Sequence, residues 1–378
     1  MIYLNCAATS RQRPACVGEA VMRAMGACGS YGRGAGSADL DAARMVFSTR
    51  EKLARILGFS HPDRVCFTSG ATAALNTAIR GLPRIHGRVI ATAWDHNAVL
   101  RPLARLADER DVRVDLVPAD GGGGIDREAL ASLLGEPADF LVCTHASNVT
   151  GMVCDAAGII ALAHGKGVPV VLDAAQTAGC LPFSMEGLGA DVVCVTGHKA
   201  LMGPTGTGAI LVAPGIDLAP LVEGGTGVRS AEPRQPDVWP ERLEAGTLNI
   251  HGIAGLGAAL EWLAEMGVER IHAREQVLLE RFLAGTDGIE GLERYGSFGG
   301  THGAIVSLNL RGRDAYELAD MLCEDYGIST RAGLHCAPRM HGALGTRSRG
   351  AVRFSFGWFT SEDDIDASCA ALREIAGL

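Results

Sequence analysis

Lysine is nearly absent from this chain: of its 34 basic residues only Lys52, Lys166 and Lys199 are lysines. An excess of basic charge is missing as well. With 43 acidic residues and a formal charge of −9, the composition argues against a nucleic-acid or anionic-membrane partner, either of which calls for a basic face. The eleven cysteines form no CxxC pair and no regular framework, which excludes a disulfide-stapled mini-domain and predicts a reduced, cytoplasmic setting. The opening segment MIYLNCAATSRQRP lacks the basic and apolar regions of a signal peptide. No run approaches the ~18 apolar residues of a membrane span. No histidine pair has metal-ligand spacing, so no metal site is expected. No internal repeat is present.

What remains is a core-forming sequence. At 378 residues, 47% hydrophobic and 20% charged, the chain can bury a large core. Its length fits two domains or one large one.

From about residue 50 to residue 212, short apolar runs alternate with amphipathic stretches. The runs are RVCFTS (64–69), RVIATA (88–93), VRVDLV (112–117), ADFLVCTHA (138–146), VPVVLDAA (168–175), ADVVCVTG (190–197) and GAILVA (208–213). Helical patterns cover 71–80, 99–109, 126–134 and 155–164. Near-continuous Val/Ile/Leu strands between helices predict an α/β fold with a mostly parallel sheet covered on both faces. After about Gly255 the pattern changes to helices at 253–266 and 271–285, AIVSLNL (304–310), a helix at 314–326, a strand near 328–331, AVRFSFG (351–357) and a closing helix at 361–375. That is an α+β layer. The expected division is a large domain, 15–255, and a small C-terminal one, 256–378, joined by residues 1–14.

In open parallel sheets, ligands bind beyond the carboxyl ends of the strands. There this sequence places Gly70-Ala71-Thr72, Asp95-His96-Asn97, Asn148, Asp173 with Gln176, and Gly197-His198-Lys199. Thr72 at a Gly-led helix start suits a phosphate or an ordinary N-cap. Asp173 at the end of an apolar strand calls for a cation or donor, unless that strand end is solvated. Lys199 in a Gly-rich loop fits a salt-bridge partner or a Schiff-base amine. Together a phosphate site, a carboxylate and a lysine point to pyridoxal 5'-phosphate, with the carboxylate pairing the pyridinium nitrogen.

DAAQ (173–176), TGHK (196–199) and GPTGTG (203–208) resemble the fold-type I pyridoxal-phosphate enzymes of the class V aminotransferase group. The closest likeness is to group II cysteine desulfurases and selenocysteine lyases. YLNCAAT (3–9), FTSGAT (67–72), DHNAVLRP (95–102), HASNVTG (145–151), EAGTLN (244–249), RAGLHCA (331–337) and VRFSFG (352–357) carry the likeness along nearly the whole chain.

The resemblance implies a seven-stranded large domain and a set of roles. Lys199 would carry the cofactor and shuttle protons. Asp173 would pair with the ring nitrogen, and Gln176 with the phenolate oxygen. His96 would stack on the ring and act as an acid–base group. Ala71, Thr72, Thr196 and His198 would hold the phosphate, with Thr247 reaching it from a partner subunit, so a homodimer is implied. Asn148 would touch substrate or cofactor, and Arg353 would clamp the substrate carboxylate. Cys336 would take sulfur as a persulfide, its thiolate favoured by Arg331 and His335, which would also contact the substrate. The substrate would be L-cysteine or L-selenocysteine, with a sulfur-acceptor protein as a possible further partner. Transamination or C–S β-elimination on another amino acid is the alternative activity.

Several positions depart from the family pattern. Asn5 stands where an aspartate is frequent, Gly36 in GRGAGS (32–37) where a histidine is, Ala73 after GAT in place of an acidic residue, and Leu334 in place of a second histidine. The 224–240 loop looks shortened, and the chain opens almost directly on YLNCAAT without a preceding helix.

Overall fold

A computed structural model describes residues 1–32 and 34–377; Arg33 of the GRGAGS segment lies outside the described residues. The seven predicted strands form β2 (Val65–Thr68), β3 (Arg88–Thr92), β4 (Arg113–Val117), β5 (Phe140–Thr144), β6 (Val170–Asp173), β7 (Val192–Thr196) and β8 (Gly208–Val212), preceded by the short β1 (Ile2–Tyr3). They make one sheet of order β2-β8-β7-β6-β5-β3-β4. Its pairs are parallel except those of β8, which runs against both β7 and β2.

Alternate residues on each strand enter different cores. Leu141, Cys143, Val170, Leu172, Val193 and Val195 face one side, and Phe140, Val142, Val171, Val192 and Cys194 the other. Both faces are dry, which is why these strands read as unbroken apolar runs. The helices that cover them are α1 (Ala15–Ala27), α2 (Ser37–Ile56), α3 (Ala71–Gly81), α4 (Asn97–Arg110), α5 (Arg127–Leu133), α6 (Ala156–His164), α7 (Met185–Leu188) and α8 (Ile250–Met266). The sequence patterns miss α1 and α2, which pack against α8. A buried ion pair fastens α2 to the sheet edge. Arg50 donates to both carboxylate oxygens of Glu244 at 2.6 and 2.5 Å, and Glu244 Oε1 accepts the Phe67 amide at 2.5 Å. Breaking such a buried pair costs about 3–5 kcal/mol.

The C-terminal portion holds α9 (Val268–Gly285), β9 (Leu292–Tyr295), β10 (Ile305–Leu310), α10 (Ala315–Glu324), β11 (Ile328–Ser329), β12 (Arg331–Gly333), α11 (Pro338–Ala343), β13 (Ala351–Ser355) and α12 (Glu362–Ile375). An antiparallel sheet of order β12-β13-β10-β9 packs Val306, Leu308, Val352 and Phe354 against Leu278 and Phe282 of α9 and Ile365 and Leu372 of α12. The single strand expected near 328–331 is two. The chain pairs first with β1 and then, past Thr330, with β13. Among the described residues, no helix is long and apolar enough to cross a membrane.

Candidate active site

The carboxyl ends of β2, β3, β5, β6 and β7 surround a cavity of about 300 Å3. Ala71, Thr72, His96, Asn148, Asp173, Gln176, Thr196, His198, Lys199, Arg331 and Arg353 all line it. Most of the predicted set therefore meets in one place.

One end is built for an anion. Gly70 opens α3 with φ +151°, a conformation that suits glycine. A Cβ on Gly208 would stand 2.5 Å from the Gly70 Cα, so the β2–α3 turn lies hard against β8 only because residue 208 is glycine. The first amides of α3, those of Ala71 and Thr72, donate to no described residue and sit beside the Thr72 and Thr196 hydroxyls. Free amides at a helix N-terminus bind phosphate.

Deeper in, Asp173 is 5% exposed and accepts the Ala175 amide at 3.0 Å. Burial pushes its carboxyl up, opposed by that amide and by the Lys199 charge. A protonated ring nitrogen supplies the cation such a carboxylate needs. Burial likewise brings the Lys199 amine down to about 8; Asp173 opposes this, while Arg353 and Arg331 add to it. Gln176 donates through Nε2 to the Ala7 carbonyl at 3.1 Å.

His96 is the N-cap of α4. Its Nδ1 accepts the Ala98 amide at 3.0 Å, and burial together with Lys199 and the nearby arginines lowers the ring to about 4. The wall it forms is a neutral imidazole carrying its proton on Nε2. His198 is also brought down to about 4, by burial first, with its Nδ1 on the Thr9 hydroxyl at 3.0 Å.

Arg353 is 1% exposed. Its Nη1 donates to the Asn148 carbonyl at 2.9 Å and its Nη2 to Asn5 Oδ1 at 3.2 Å, while Nε has no partner among the described residues. Because residue 5 is asparagine, this guanidinium has no carboxylate to neutralise it there. Burial lowers it to about 9. Asn148 Oδ1 is also buried and unpartnered. These two orphaned groups suit an amino acid's carboxylate and ammonium.

Cys336 is half-buried behind the lining residue Arg331, whose Nη2 lies 3.7 Å from its Sγ. It and His335 are consecutive non-glycine residues in the left-handed region, φ +58° and +49°, a conformation costing about 1–2 kcal/mol per residue.

Three predicted residues are not on the lining of the cavity: Cys336, His335 and Thr247. His335 is 2% exposed, with Nε2 on the Arg331 carbonyl at 2.9 Å and Nδ1 on His341 Nε2 at 3.1 Å. Burial holds the ring well below its usual range. The expectation that His335 binds substrate or lends charge to the thiolate is corrected: it is neutral and turned inward. Thr247 lines a second cavity, of about 370 Å3, that shares Ser69 and Ala73 with the first. It does not reach the anion end of its own chain.

Sequence reasoning gave no role to Asp95, which ends the β3 turn. It is fully buried, accepts from Thr144 Oγ1 at 2.7 Å and from the Thr92 amide at 2.6 Å, and burial pushes it up to about 7. Its place at a strand end was the available signal.

Comparison with known proteins identifies the family. The family model "Aminotransferase class-V" matches residues 2–367. A probable cysteine desulfurase of Methanothermobacter thermautotrophicus is 34% identical over 92% of this chain and 88% of its own length. A cysteine desulfurase of Cronobacter sakazakii is 30% identical over 99% and 93%. Among solved structures, the apo cysteine desulfurase of Thermococcus onnurineus superposes with a TM-score of 0.92 at 28% identity, covering 100% of this chain and 95% of that one. The fold is that of the fold-type I pyridoxal-phosphate enzymes, and the chain belongs to the class V aminotransferase family, whose cofactor is pyridoxal 5'-phosphate.

Proposed function

We propose that this protein is a pyridoxal-phosphate-dependent cysteine desulfurase, which converts L-cysteine to L-alanine and keeps the sulfur on Cys336 as a persulfide. The observation that carries the reading is the placement of Cys336. A thiol in a left-handed turn lies against Arg331, which itself lines a cavity whose other groups suit the cofactor and an amino acid.

The residues fit the cofactor by charge and by hydrogen bonding. Ala71, Thr72 and Thr196 would hold the phosphate, Asp173 the ring nitrogen, Gln176 the phenolate oxygen and Lys199 the aldehyde carbon. Bound there, pyridoxal phosphate supplies an electron sink for the substrate's α-carbon. The rest falls to the chain. Arg353 and Asn148 orient the amino acid. Lys199, with its amine brought down to about 8, moves the α-proton near neutral pH. The neutral His96 closes the far wall and offers its Nε2 proton. The Cys336 thiolate attacks the substrate sulfur: the S–S bond forms, the Cβ–S bond breaks, and the released CH2 takes up one proton to become the alanine methyl. L-cysteine and the enzyme thiol thus give L-alanine and the enzyme persulfide, with no external oxidant.

The same reading makes the enzyme a homodimer. Thr247 belongs to a cavity bordered by the exposed Leu221 and Val222, where a second copy would bring its own Thr247 to the phosphate. It divides the chain into a cofactor-holding unit, 15–255, and a smaller unit, 1–14 with 256–378, that carries Arg331, Cys336 and Arg353. Eleven free thiols suit the reducing cytoplasm.

The test measures alanine and sulfide or selenide release from L-cysteine and L-selenocysteine, with dithiothreitol present, for wild type and Cys336→Ala. Cysteine turnover that vanishes in the variant supports the persulfide route. Turnover of selenocysteine alone, retained in the variant, makes the enzyme a selenocysteine lyase. No release from either substrate by cofactor-loaded protein hands the activity to transamination or β-elimination on another amino acid.

A further inference from the structure

The turn that presents Cys336 is braced by a chain of buried side chains outside the cavity. His335 Nε2 lies 2.9 Å from the Arg331 carbonyl, His335 Nδ1 lies 3.1 Å from His341 Nε2, and His341 Nδ1 lies 2.7 Å from Thr346 Oγ1. All three side chains are at most 2% exposed, so water cannot substitute for a lost partner.

The chain has one direction. A carbonyl only accepts, so His335 carries its proton on Nε2. Both rings are buried and neutral, so His335 Nδ1 must accept, from His341 Nε2–H. His341 Nδ1 must then accept in turn, from the Thr346 hydroxyl. Removing that hydroxyl leaves either a buried unpaired nitrogen on His341 or, if both rings change tautomer, a lone pair facing the Arg331 carbonyl. Either fault is delivered to the strand that holds Arg331 and the turn that holds Cys336.

Resting on the desulfurase reading, we infer that His335, His341 and Thr346 are positioning residues that hold the Cys336 turn in its left-handed conformation for attack on sulfur. Thr346 sits between α11 and β13, and its carbonyl accepts the Gly350 amide at 2.7 Å, ahead of the strand that carries Arg353. The brace thus ties the nucleophile's turn to the carboxylate-binding strand.

Thr346→Val removes the hydroxyl at nearly constant volume; Thr346→Ser restores it. His341→Phe breaks the same chain from its middle and serves if the valine variant does not fold. Two quantities are read on the holoenzymes: steady-state cysteine desulfuration, and backbone hydrogen–deuterium exchange of the peptides covering 331–346. In Thr346→Val and His341→Phe, kcat is expected to fall ~10- to 100-fold, as for a nucleophile moved by a fraction of an ångström to one ångström. KM for cysteine and the cofactor absorbance stay as in wild type, and exchange in 331–346 speeds up. Thr346→Ser behaves as wild type. Wild-type exchange in Thr346→Val, unchanged kcat despite faster exchange, or a serine variant no better than valine each overturns the inference. Should wild type leave cysteine untouched, the desulfurase reading falls on that result alone, and the exchange measurement still decides whether the brace exists.

Discussion

The backbone N–H of Asn97 donates to the carbonyl oxygen of Cys336 at 2.7 Å. One residue earlier, the carbonyl of His335 accepts from Asn148 Nδ2 at 2.6 Å. The turn that carries the thiol is therefore stitched to two strand-end loops of the large sheet, and His96 caps the helix that Asn97 begins. The Cys336 turn and the His96 wall are thus held to one another.

Asn97→Pro tests this directly. Asn97 is the first residue of α4, where proline is tolerated. His96 already has φ −70° and ψ 158°, the range a residue before proline adopts. The helix should survive because N1 has no intrahelical acceptor to lose, and the lost bond to the Cys336 carbonyl should cost about 1–3 kcal/mol of stability. The proline ring, however, occupies the space through which the amide reaches the Cys336 carbonyl. Cysteine turnover is expected to drop ~10-fold or more, while cofactor absorbance is retained. Unchanged turnover in a folded, cofactor-bound variant would show that this hydrogen bond does not place the thiol.

The Lys199 amine sets a pH dependence for cofactor capture. Burial lowers it from 10.5 to about 8, so the nucleophilic free amine grows as pH rises, is half present near 8 and nearly complete about one pH unit above that. In cofactor-free protein, the rate at which pyridoxal phosphate develops its bound absorbance should climb ~tenfold per pH unit below 8 and then level. A rate that keeps climbing to pH 10 would mean an ordinary, solvated lysine.

Glu275 on α9 gives a stability signature. It is 5% exposed, and burial alone raises its carboxyl from 4.5 to about 8. Between those values the folded protein holds a proton that the unfolded chain has released. The group's contribution is therefore most favourable below pH 4.5 and declines as pH rises through 8. Glu275→Gln removes the decline. At pH 7 the variant should be more stable by about 3 kcal/mol, at ~1.4 kcal/mol per pH unit, with the advantage shrinking towards pH 5. Urea unfolding of both proteins at pH 5, 7 and 8.5 measures this; a difference that does not vary with pH would contradict the assignment.

The sequence alone determined the seven-stranded sheet and the row of polar groups along its edge. Strands buried on both faces need unbroken runs such as VVLD and VVCVT, and each run gives way to polar residues where the strand reaches the cavity, so Asp173, His96, Lys199 and Thr72 announce themselves by position. Family likeness added Cys336 and Arg353, whose partners lie far off in sequence.

Only the tertiary structure decided the rest, because those features depend on contacts between distant segments. Helices α1 and α2 are legible once α8 is seen to cover them. The stretch 328–333 divides between two sheets because β1 and β13 compete for its backbone. His335 looked like a substrate ligand beside Cys336, yet the two left-handed residues turn its ring inward to His341, and no local pattern encodes that. Thr247 stays out of its own chain's cavity, and Glu275, in an ordinary amphipathic helix, ends buried where its proton is held by the lack of water. Periodicity fixes which face of an element is apolar; what stands against that face, and at what dielectric, is set by the assembled fold.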